Sequence, residues 1–271
     1  MNDYIELAKS VALQAGDVML KYFKQGMEHK FKKDLSIVTK ADEEINKLVI
    51  ESVEKKYPSH SVFGEEESSD KKSKMVWLCD PVDGTWPYSK GMPVSAFSLA
   101  LAEDGQPLLG VIYEPFTKRL YSAVKGKGAY LNDKPTKVSN LNIKEATLNI
   151  EWWPEAEYDI DAAMHKLSIS TGAYVLHLGS IVNACSFVAA GQYEACIYAG
   201  TKDKSVDIAA VKVIIEEAGG KVTDLFGNEQ IFIHDLKGAI VSNGLVHKEI
   251  LKYTRNLKPS VQKHAYSVSA A

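Results

Sequence analysis

Apolar residues recur at helical spacing in two segments near the start of the chain. Between residues 4 and 24 they come every three or four positions, which predicts a long amphipathic helix. Its apolar positions are Ile5, Ala8, Val11, Ala12, Ala15, Val18, Met19, Tyr22 and Phe23. A second helix is predicted to start shortly after Thr39 and to end before Pro58, because its apolar residues share one face. These residues are Ile45, Leu48, Val49 and Val53.

The next part of the chain has the pattern of β-strands. Short apolar or alternating runs occur between residues 76 and 124, separated by glycine and proline. They predict strands over residues 76–79, 94–102, 108–113 and 119–124. Pro81 is expected to stop the first of these strands, because proline cannot donate to the strand ladder. This pattern predicts an antiparallel sheet that packs on the first two helices.

Strands and helices alternate after about residue 145. Strands are predicted over residues 175–178, 193–198 and 239–242, and helices over 180–190, 206–218 and about 245–256. Residues 259–271 have no periodic apolar pattern and predict a loose tail. The fold class is therefore α+β or α/β, with an N-terminal antiparallel half (residues 1–145) and a smaller mixed α/β half (residues 146–258). No flexible linker separates the halves, so they are expected to share an interface.

Composition and charge narrow the possible partners and the location. The 271 residues carry 32 basic and 35 acidic side chains, and a net charge of −3 gives no reason to expect nucleic acid or an anionic membrane as partner. No apolar run is long enough to span a membrane, and the N-terminus lacks the features of a signal peptide. Cys79, Cys185 and Cys196 sit in apolar segments without metal-binding spacing, which predicts reduced, buried thiols and a cytoplasmic protein.

Two carboxylates stand at the end of the first predicted strand, in the sequence Asp80-Pro-Val-Asp83-Gly-Thr85. Acids at the end of a buried strand are unfavourable unless something neutralises them. Two such charges ~4 Å apart repel by roughly 4 kcal/mol at an effective dielectric constant near 20. A hard divalent cation relieves this repulsion, and Mg²⁺ prefers oxygen ligands of this kind. We interpret the motif as a metal site for phosphate chemistry.

Three further segments supply acids. Glu65, Glu66 and Glu67 follow a short apolar strand signal, Asp42 stands near the start of the second helix, and Asp207 opens the helix predicted over residues 206–218. Each has a simpler explanation, because the glutamates could form a solvated acidic turn and the aspartates could be first-turn residues favoured by the helix dipole. The strand-end acids have no such explanation, since burying unpaired charge is costly.

Other phosphate- and metal-binding motifs do not fit this chain. Phosphatases with an aspartyl nucleophile place one residue between their two acids, whereas Pro81 and Val82 both separate Asp80 from Asp83. The sequence contains neither the twelve-residue acidic loop of an EF-hand nor the glycine-lysine pattern of a P-loop. A covalent phospho-aspartate mechanism is therefore disfavoured.

Taken together, the acidic segments resemble the three signatures of the inositol monophosphatase family. These signatures are Gly64-Glu65-Glu66, Asp80-Pro-Val-Asp83-Gly-Thr85, and Asp207-Ile-Ala-Ala210 with Glu217-Ala-Gly-Gly220. The resemblance covers nearly the whole chain and implies a layered αβαβα sandwich that is commonly a homodimer. It also implies a Mg²⁺-dependent, Li⁺-sensitive phosphomonoesterase with two or three Mg²⁺ per subunit. Such an enzyme hydrolyses a small-molecule phosphate ester by attack of a metal-activated water.

The resemblance assigns roles to individual residues. The implied metal ligands are Glu65, Asp80, the backbone carbonyl of Val82, Asp83 and Asp207. Thr85, in hydrogen-bond contact with Asp42, would orient and help to deprotonate the attacking water together with Glu65, so these three residues are the implied catalytic residues. Backbone amides of Gly84 and Thr85 would cradle the phosphate. The implied substrate-binding residues are Asp83, Gly84, Thr85, Gly179, Ser180, Lys202 and Asp207.

The segment before Asp207 departs from the family pattern. Inositol-specific members carry a glutamate about seven residues before the last metal aspartate, and this chain has Gly200 there. Lys202 and Lys204 follow, which suggests a substrate with more negative charge, although an ordinary solvated loop explains them equally well. Inositol monophosphate is the leading substrate. Fructose 1,6-bisphosphate, 3′-phosphoadenosine 5′-phosphate and histidinol phosphate are alternatives, and a non-catalytic metal-binding regulator with the same fold is the alternative class.

Overall fold

Helices and sheets form five layers, in the order αβαβα, in the computed structural model of the protein. The structure describes residues 1–24, 28–32, 36–153, 156–200, 206–232 and 236–259. The helices in chain order are α1 (Asn2–Tyr22), α2 (Lys40–Lys56), α3 (Thr85–Ser89), α4 (Asp161–Thr171), α5 (Ile181–Ala189), α6 (Val206–Glu217) and α7 (His247–Thr254). The strands are β1 (His29–Phe31), β2 (Ile37–Thr39), β3 (Ser61–Gly64), β4 (Ser68–Ser69), β5 (Met75–Asp83), β6 (Ala96–Glu103), β7 (Gln106–Glu114), β8 (Arg119–Val124), β9 (Ala129–Leu131), β10 (Lys134–Pro135), β11 (Thr147–Glu151), β12 (Tyr174–Leu176), β13 (Ala195–Tyr198), β14 (Lys221–Thr223) and β15 (Ala239–Ser242). This layered arrangement confirms the predicted fold class.

The larger sheet has eight strands in the order β10-β9-β8-β7-β6-β5-β3-β4. Its neighbouring pairs are antiparallel, as predicted, with one exception: β3 and β5 run parallel. In this pair Gly64 lies opposite Cys79. The parallel register therefore brings the ends of both strands to the same edge of the sheet, where Glu65 and Asp80 follow.

Strand β5 is longer than the sequence predicted. It continues past Pro81 to Asp83, and its pairing with β6 shifts register between Asp80 and Asp83. An irregularity of this kind leaves backbone groups unpaired, so a proline is tolerated there. The expectation that Pro81 ends the strand is therefore wrong. Proline instead sits in the bulge that re-aims the two acids.

The smaller sheet has five strands in the order β12-β11-β13-β15-β14. Strand β11 pairs in parallel with β12 and β13, whereas β15 pairs antiparallel with β13 and β14. The sheet is mixed, as predicted for the second half, but the sequence pattern predicted neither the strands β11 and β14 nor the helix α4. The predicted boundary after residue 145 falls between Pro135, the end of β10, and Thr147, the start of β11. As a domain boundary it stays a prediction.

Three apolar cores fill the spaces between the layers. The first lies between helices α1 and α2 and one face of the larger sheet, where Trp77 and Cys79 point. The second lies between the other face, where Val76 and Leu78 point, and the central helices α5 and α6. The third lies between the smaller sheet and helices α4 and α7. Alternate residues of β5 thus serve two different cores, which explains why the run is apolar throughout.

None of the helices in the described ranges combines the length and the apolar character that a membrane crossing requires. Residues 260–271, most of the predicted tail, lie outside the described residues.

His247, at the start of α7, is a buried neutral histidine far from the acidic motif in sequence. Only 1% of it is exposed, and its ring nitrogens lie 3.0 Å from the Thr223 hydroxyl and 2.8 Å from the Ser242 hydroxyl. Burial lowers the pKa of His247 from 6.5 to about 4, and the positive charge of Lys221 adds to the effect. The stability that depends on the neutral ring is therefore present above pH 6.5 and is lost as the pH falls toward 4.

We expect the free energy of unfolding of the wild-type protein to fall between pH 7 and pH 5 more steeply than that of the His247→Gln variant, by about 2 kcal/mol. Urea unfolding at the two pH values measures the difference. His165→Gln, which replaces an exposed histidine, serves as the control and should retain the wild-type pH dependence. An equal loss of stability in wild type and His247→Gln would contradict this interpretation.

Candidate active site

Asp42 lies at the start of helix α2 and is completely buried. Its Oδ2 accepts hydrogen bonds from the Thr39 amide at 2.9 Å and from the Thr39 hydroxyl at 2.5 Å. With the Thr39 hydroxyl accepting from the Ala41 amide at 3.2 Å, this forms a capping box. The other carboxylate oxygen, Oδ1, lies 3.3 Å from the Thr85 hydroxyl. The same side chain therefore caps the helix and contacts Thr85, the last residue of the Asp80-Pro-Val-Asp83-Gly-Thr85 motif.

Burial raises the pKa of Asp42 from 3.8 to about 7. Hydrogen bonds from Thr39 oppose this rise, whereas the negative charges of Glu65 and Glu66 add to it. These glutamates come directly after β3, so the start of α2 faces the edge of the larger sheet where acids collect. Asp42 can therefore exchange a proton near neutral pH.

The end of β5 delivers two buried carboxylates, Asp80 and Asp83, which are 2% and 6% exposed. The amide of Val82 donates to Asp80 Oδ1 at 3.1 Å, and the carbonyl of Val82 accepts the Thr85 hydroxyl at 2.9 Å. Gly84 then takes the left-handed conformation, with φ of +77°, that turns the chain into α3. The bulged strand and this turn bring Asp83 and Thr85 to the same edge as Asp42.

Glu65 lies beside Asp80 because of the parallel pairing of β3 and β5. Its amide donates to the carbonyl of Cys79 at 3.1 Å, which extends that pairing by one residue. The Glu65 side chain is only 12% exposed and faces a cation from another element. The structure therefore brings the first and second acidic motifs together.

That cation is Lys32, which no sequence motif singles out. Its Nζ lies 3.3 Å from Glu65 Oε1 and 2.5 Å from Glu66 Oε1. Lys32 follows β1, which pairs with β2 immediately before the cap of α2. In the sequence Lys32 is one lysine in a polar connection. Its contact with Glu65 and Glu66 can be recognised only when the β1–β2 pairing is known.

Helix α5 begins directly against Asp83. The Ser180 hydroxyl donates to Asp83 Oδ2, the Ile181 amide to Oδ1 at 3.2 Å, and the Val182 amide to Oδ2 at 2.9 Å. Gly84 packs on the same residues, because a Cβ at Gly84 would stand 2.8 Å from the Cβ of Ser180. Ser180, predicted as part of a substrate wall, therefore holds an acid of the second motif.

Asp207 belongs to the same acidic cluster. It lies in the first turn of α6, is 6% exposed, and accepts a hydrogen bond from the Tyr198 hydroxyl at 3.3 Å. Burial raises the pKa of Asp83 from 3.8 to about 8, and the charge of Asp207 is the next cause, while the bond from Ser180 opposes the rise. Asp83 and Asp207 thus repel each other in a poorly solvated place.

Gly200, where inositol-specific members carry a glutamate, leaves no room for a side chain. Its φ is +79°, and a Cβ there would stand 2.4 Å from the amide nitrogen of Gly238. A glutamate at this position requires a different backbone path. Gly179 also has a positive φ, of +83°, immediately before Ser180. Lys202 and Lys204, on which the predicted preference for charged substrates depends, lie outside the described residues.

The chemistry of these donors fits a hard divalent cation. Carboxylate oxygens of Glu65, Asp80, Asp83 and Asp207 and the carbonyl of Val82 are ligands of the kind that Mg²⁺ prefers. A cation would also relieve the repulsion that raises the pKa of Asp83. Within the described residues, no three histidine, cysteine, aspartate or glutamate side chains already converge closely enough to enclose an ion. The acids therefore form a charged cluster rather than a complete coordination shell.

Comparison with known proteins finds relatives that include named phosphatases. A 31% identical histidinol-phosphatase of Chlorobaculum parvum covers 93% of this chain and 96% of its own length. A fructose-1,6-bisphosphatase/inositol-1-monophosphatase of Aquifex aeolicus is 33% identical over 94% of this chain and 96% of its own length. The Nus factor SuhB of Pasteurella multocida is 32% identical over 84% of this chain and 87% of its own length.

Solved structures agree with these relatives. An IMPase of Thermotoga maritima superposes with a TM-score of 0.82 at 26% identity, covering 93% of this chain and 96% of that one. An IMPase/NADP phosphatase in complex with Mg²⁺ and phosphate superposes with a TM-score of 0.80 at 26% identity, covering 93% and 95%. The model of the inositol monophosphatase family matches residues 1–258. This chain therefore belongs to the inositol monophosphatase family.

Proposed function

We propose that this protein is a Mg²⁺-dependent phosphomonoesterase that hydrolyses a small phosphorylated metabolite. One observation carries the proposal: Asp83 is buried beside Asp207, and the start of α5 holds it in place although burial and repulsion raise its pKa to about 8. Burying two acids side by side opposes folding, and a bound cation offsets this cost. We therefore interpret the arrangement as a cation site. A related IMPase/NADP phosphatase in complex with Mg²⁺ and phosphate supports this choice of ion.

The residues that would hold two or three Mg²⁺ are Glu65, Asp80, Val82 through its carbonyl, Asp83 and Asp207. When bound, Mg²⁺ lowers the pKa of water and stabilises the charge that develops on the leaving oxygen. Lys32 faces Glu65 and Glu66 and reduces their mutual repulsion.

Thr85 and Asp42 provide a path for a proton. The Thr85 hydroxyl lies 2.9 Å from the Val82 carbonyl and 3.3 Å from Asp42 Oδ1, so its proton can point to either oxygen. A lone pair of Thr85 Oγ1 can then accept a hydrogen bond from the attacking water. Asp42, with a pKa near 7, can receive a proton at neutral pH, and Glu65 would help to orient the water. The amides of Gly84 and Thr85 would bind the phosphate.

The substrate is proposed from chemistry and from the names of relatives. Inositol monophosphate remains the leading substrate, and relatives are named for activity on fructose 1,6-bisphosphate, inositol 1-phosphate and histidinol phosphate. The crowded backbone at Gly200 leaves no room for the glutamate of inositol-specific members, and this observation favours the other substrates over inositol monophosphate. Ser180 and Gly179 would line the site, and Lys202 would bind a second phosphate where the substrate carries one. 3′-Phosphoadenosine 5′-phosphate is a further candidate, because it also carries a second phosphate.

A non-catalytic role is the alternative. One relative is named Nus factor SuhB, and this name points to a regulatory activity of that protein. Against this alternative, Glu65, Asp80, Asp83, Thr85, Asp42 and Asp207 are all present in this chain. Location in the cytoplasm also belongs to the proposal and rests on the three free, buried cysteines. Assembly as a homodimer and sensitivity to Li⁺ belong to it too and rest on the family resemblance.

Without divalent cations, we expect the protein to lose stability as the pH rises from 6 to 9. The folded-state pKa of Asp83, about 8, is above its ordinary value of 3.8, so its contribution is fully present below pH 3.8 and is lost as the pH passes 8. Thermal unfolding in EDTA should therefore show a falling Tm, and the Asp83→Asn variant should have a flatter profile. Mg²⁺ should restore the Tm of the wild type at pH 9 and have little effect on Asp83→Asn.

Asp104→Asn is the matched control, because Asp104 is exposed and paired with Lys74. This variant should keep both the wild-type pH profile and the response to Mg²⁺. A Tm of the EDTA-treated wild type that does not change between pH 6 and pH 9 would argue against the charged cluster.

We expect Mg²⁺-dependent phosphate release from at least one of inositol 1-phosphate, fructose 1,6-bisphosphate, 3′-phosphoadenosine 5′-phosphate and histidinol phosphate. Asp83→Asn should lower kcat by about 100-fold or more, because it removes one of the carboxylate charges that would hold Mg²⁺. EDTA should abolish turnover, and Asp104→Asn should leave it unchanged. Turnover that survives Asp83→Asn or EDTA would refute the assigned site. No turnover of any of these esters or of p-nitrophenyl phosphate would favour the regulator.

A further inference from the structure

Glu151 is a buried acid that the proposed reaction does not use. It is the last residue of β11, and 8% of it is exposed. Its Oε1 accepts hydrogen bonds from the Asn149 side chain at 2.8 Å, the Leu178 amide at 3.0 Å and the Gly179 amide at 2.9 Å. Its Oε2 lies 3.1 Å from the same Gly179 amide. One carboxylate thus binds two consecutive amides of the segment between β12 and α5.

These two amides belong to the turn that starts α5. Gly179 has a φ of +83°, a conformation that few residues other than glycine adopt, and Ser180 is the N-cap of the helix. The Ser180 hydroxyl accepts a hydrogen bond from the Asn183 amide at 3.4 Å while it donates to Asp83. The position of this turn therefore decides where the Ser180 hydroxyl points.

The two amides that follow Ser180 bind the other carboxylate. Ile181 and Val182 donate to Asp83, directly after Leu178 and Gly179 donate to Glu151. Amides on the two sides of Ser180 are thus divided between two buried acids, one from each sheet. A shift of the turn toward or away from Glu151 changes the distances from α5 to Asp83.

A neutral side chain could bind two backbone amides without adding charge. Instead, a second acid stands near Asp83, and its charge is one of the causes that raise the pKa of Asp83. Burying a like charge next to an acidic cluster disfavours folding. Because a carboxylate is a stronger acceptor than an amide oxygen and offers two oxygens to the donors, it holds the turn more firmly.

We propose that Glu151 is a positioning residue that holds the turn from Leu178 to Ser180, so that the first turn of α5 fixes Asp83 in the orientation needed to bind Mg²⁺. The proposal rests on the proposed function for the role of Asp83 as a metal ligand. Glu151 itself does not contact the reacting atoms. Its effect on the site passes through backbone amides and the Ser180 hydroxyl.

Two variants of Glu151 and one matched control test the proposal. Glu151→Gln removes the charge at nearly constant size, and Glu151→Asp keeps the charge but shortens the side chain. Glu194→Gln is the control, because Glu194 is also buried, at 2% exposed, and accepts the Thr147 amide at 2.7 Å at the opposite end of β11. Hydrogen exchange of the metal-free proteins, and the Mg²⁺ concentration that gives half of the maximal rise in Tm, are measured for all four proteins.

We expect both Glu151 variants to exchange the amides of residues 178–183 at least 10-fold faster than the wild type. Both should also need at least 10-fold more Mg²⁺ for half of the maximal rise in Tm, and should lose kcat more than they raise KM. Glu194→Gln should change neither the exchange of residues 178–183 nor the Mg²⁺ requirement, even if its Tm falls. If Glu151→Gln does not fold, Glu151→Asp carries the same comparison.

Three results would overturn the proposal. Faster exchange with an unchanged Mg²⁺ requirement would make Glu151 a structural contact only. A wild-type Mg²⁺ requirement in Glu151→Asp, with a raised one in Glu151→Gln, would show that charge and not position is what matters. If Glu194→Gln changed the exchange of residues 178–183 and the Mg²⁺ requirement as much, the effect would not be specific to Glu151. Failure of the proposed function is separate: the wild type would then release no phosphate from any ester, while the exchange and Mg²⁺ measurements still decide the role of Glu151.

Discussion

The burial of helix α6 between the two sheets is the constraint on which the candidate site depends. Every residue from Val206 to Ile215 is buried, and the helix packs tightly against the larger sheet at Gly110. A Cβ at Gly110 would stand 2.6 Å from the carbonyl oxygen of Ala210 and 2.7 Å from its Cα. A packed helix of this kind cannot rotate or slide without overlap. Asp207, in its first turn, is therefore held at the junction of the two sheets, close to Asp83.

Concentrating acids at that junction opposes folding. Burial is the largest cause of the raised pKa of both Asp42 and Asp83, and neighbouring acids add to it in each case. The three apolar cores that fill the layers must offset this loss, since burying apolar surface is the main favourable contribution to folding. The cluster is thus a local conflict with stability inside a fold that is otherwise consistent, which is typical of functional sites.

Helix α5 resolves part of this conflict through its backbone. Its first amides and its N-cap hydroxyl bind Asp83, where the positive end of the helix dipole favours an anion. The turn before it is bound by Glu151 from the smaller sheet, and the Asn183 side chain donates to the carbonyl of Val94 near the larger sheet at 2.8 Å. One short helix thus couples the orientation of a site acid to both sheets.

The sequence by itself determined the features that depend on residues close to one another in the chain. The apolar period of α1 and α2, the start of α2 after Thr39, and the acids around Pro81 could all be predicted, because each is encoded within a few residues. Helix α4 escaped prediction because only Ala163, Met164 and Leu167 of it are buried, too few for a clear period. Only the tertiary structure decided that β3 and β5 run parallel, that Lys32 faces Glu65, and that Glu151 accepts the amides of the turn before α5. These contacts join residues far apart in the chain. Which residues meet depends on how whole faces of helices and sheets are buried against each other, and not on the local sequence pattern.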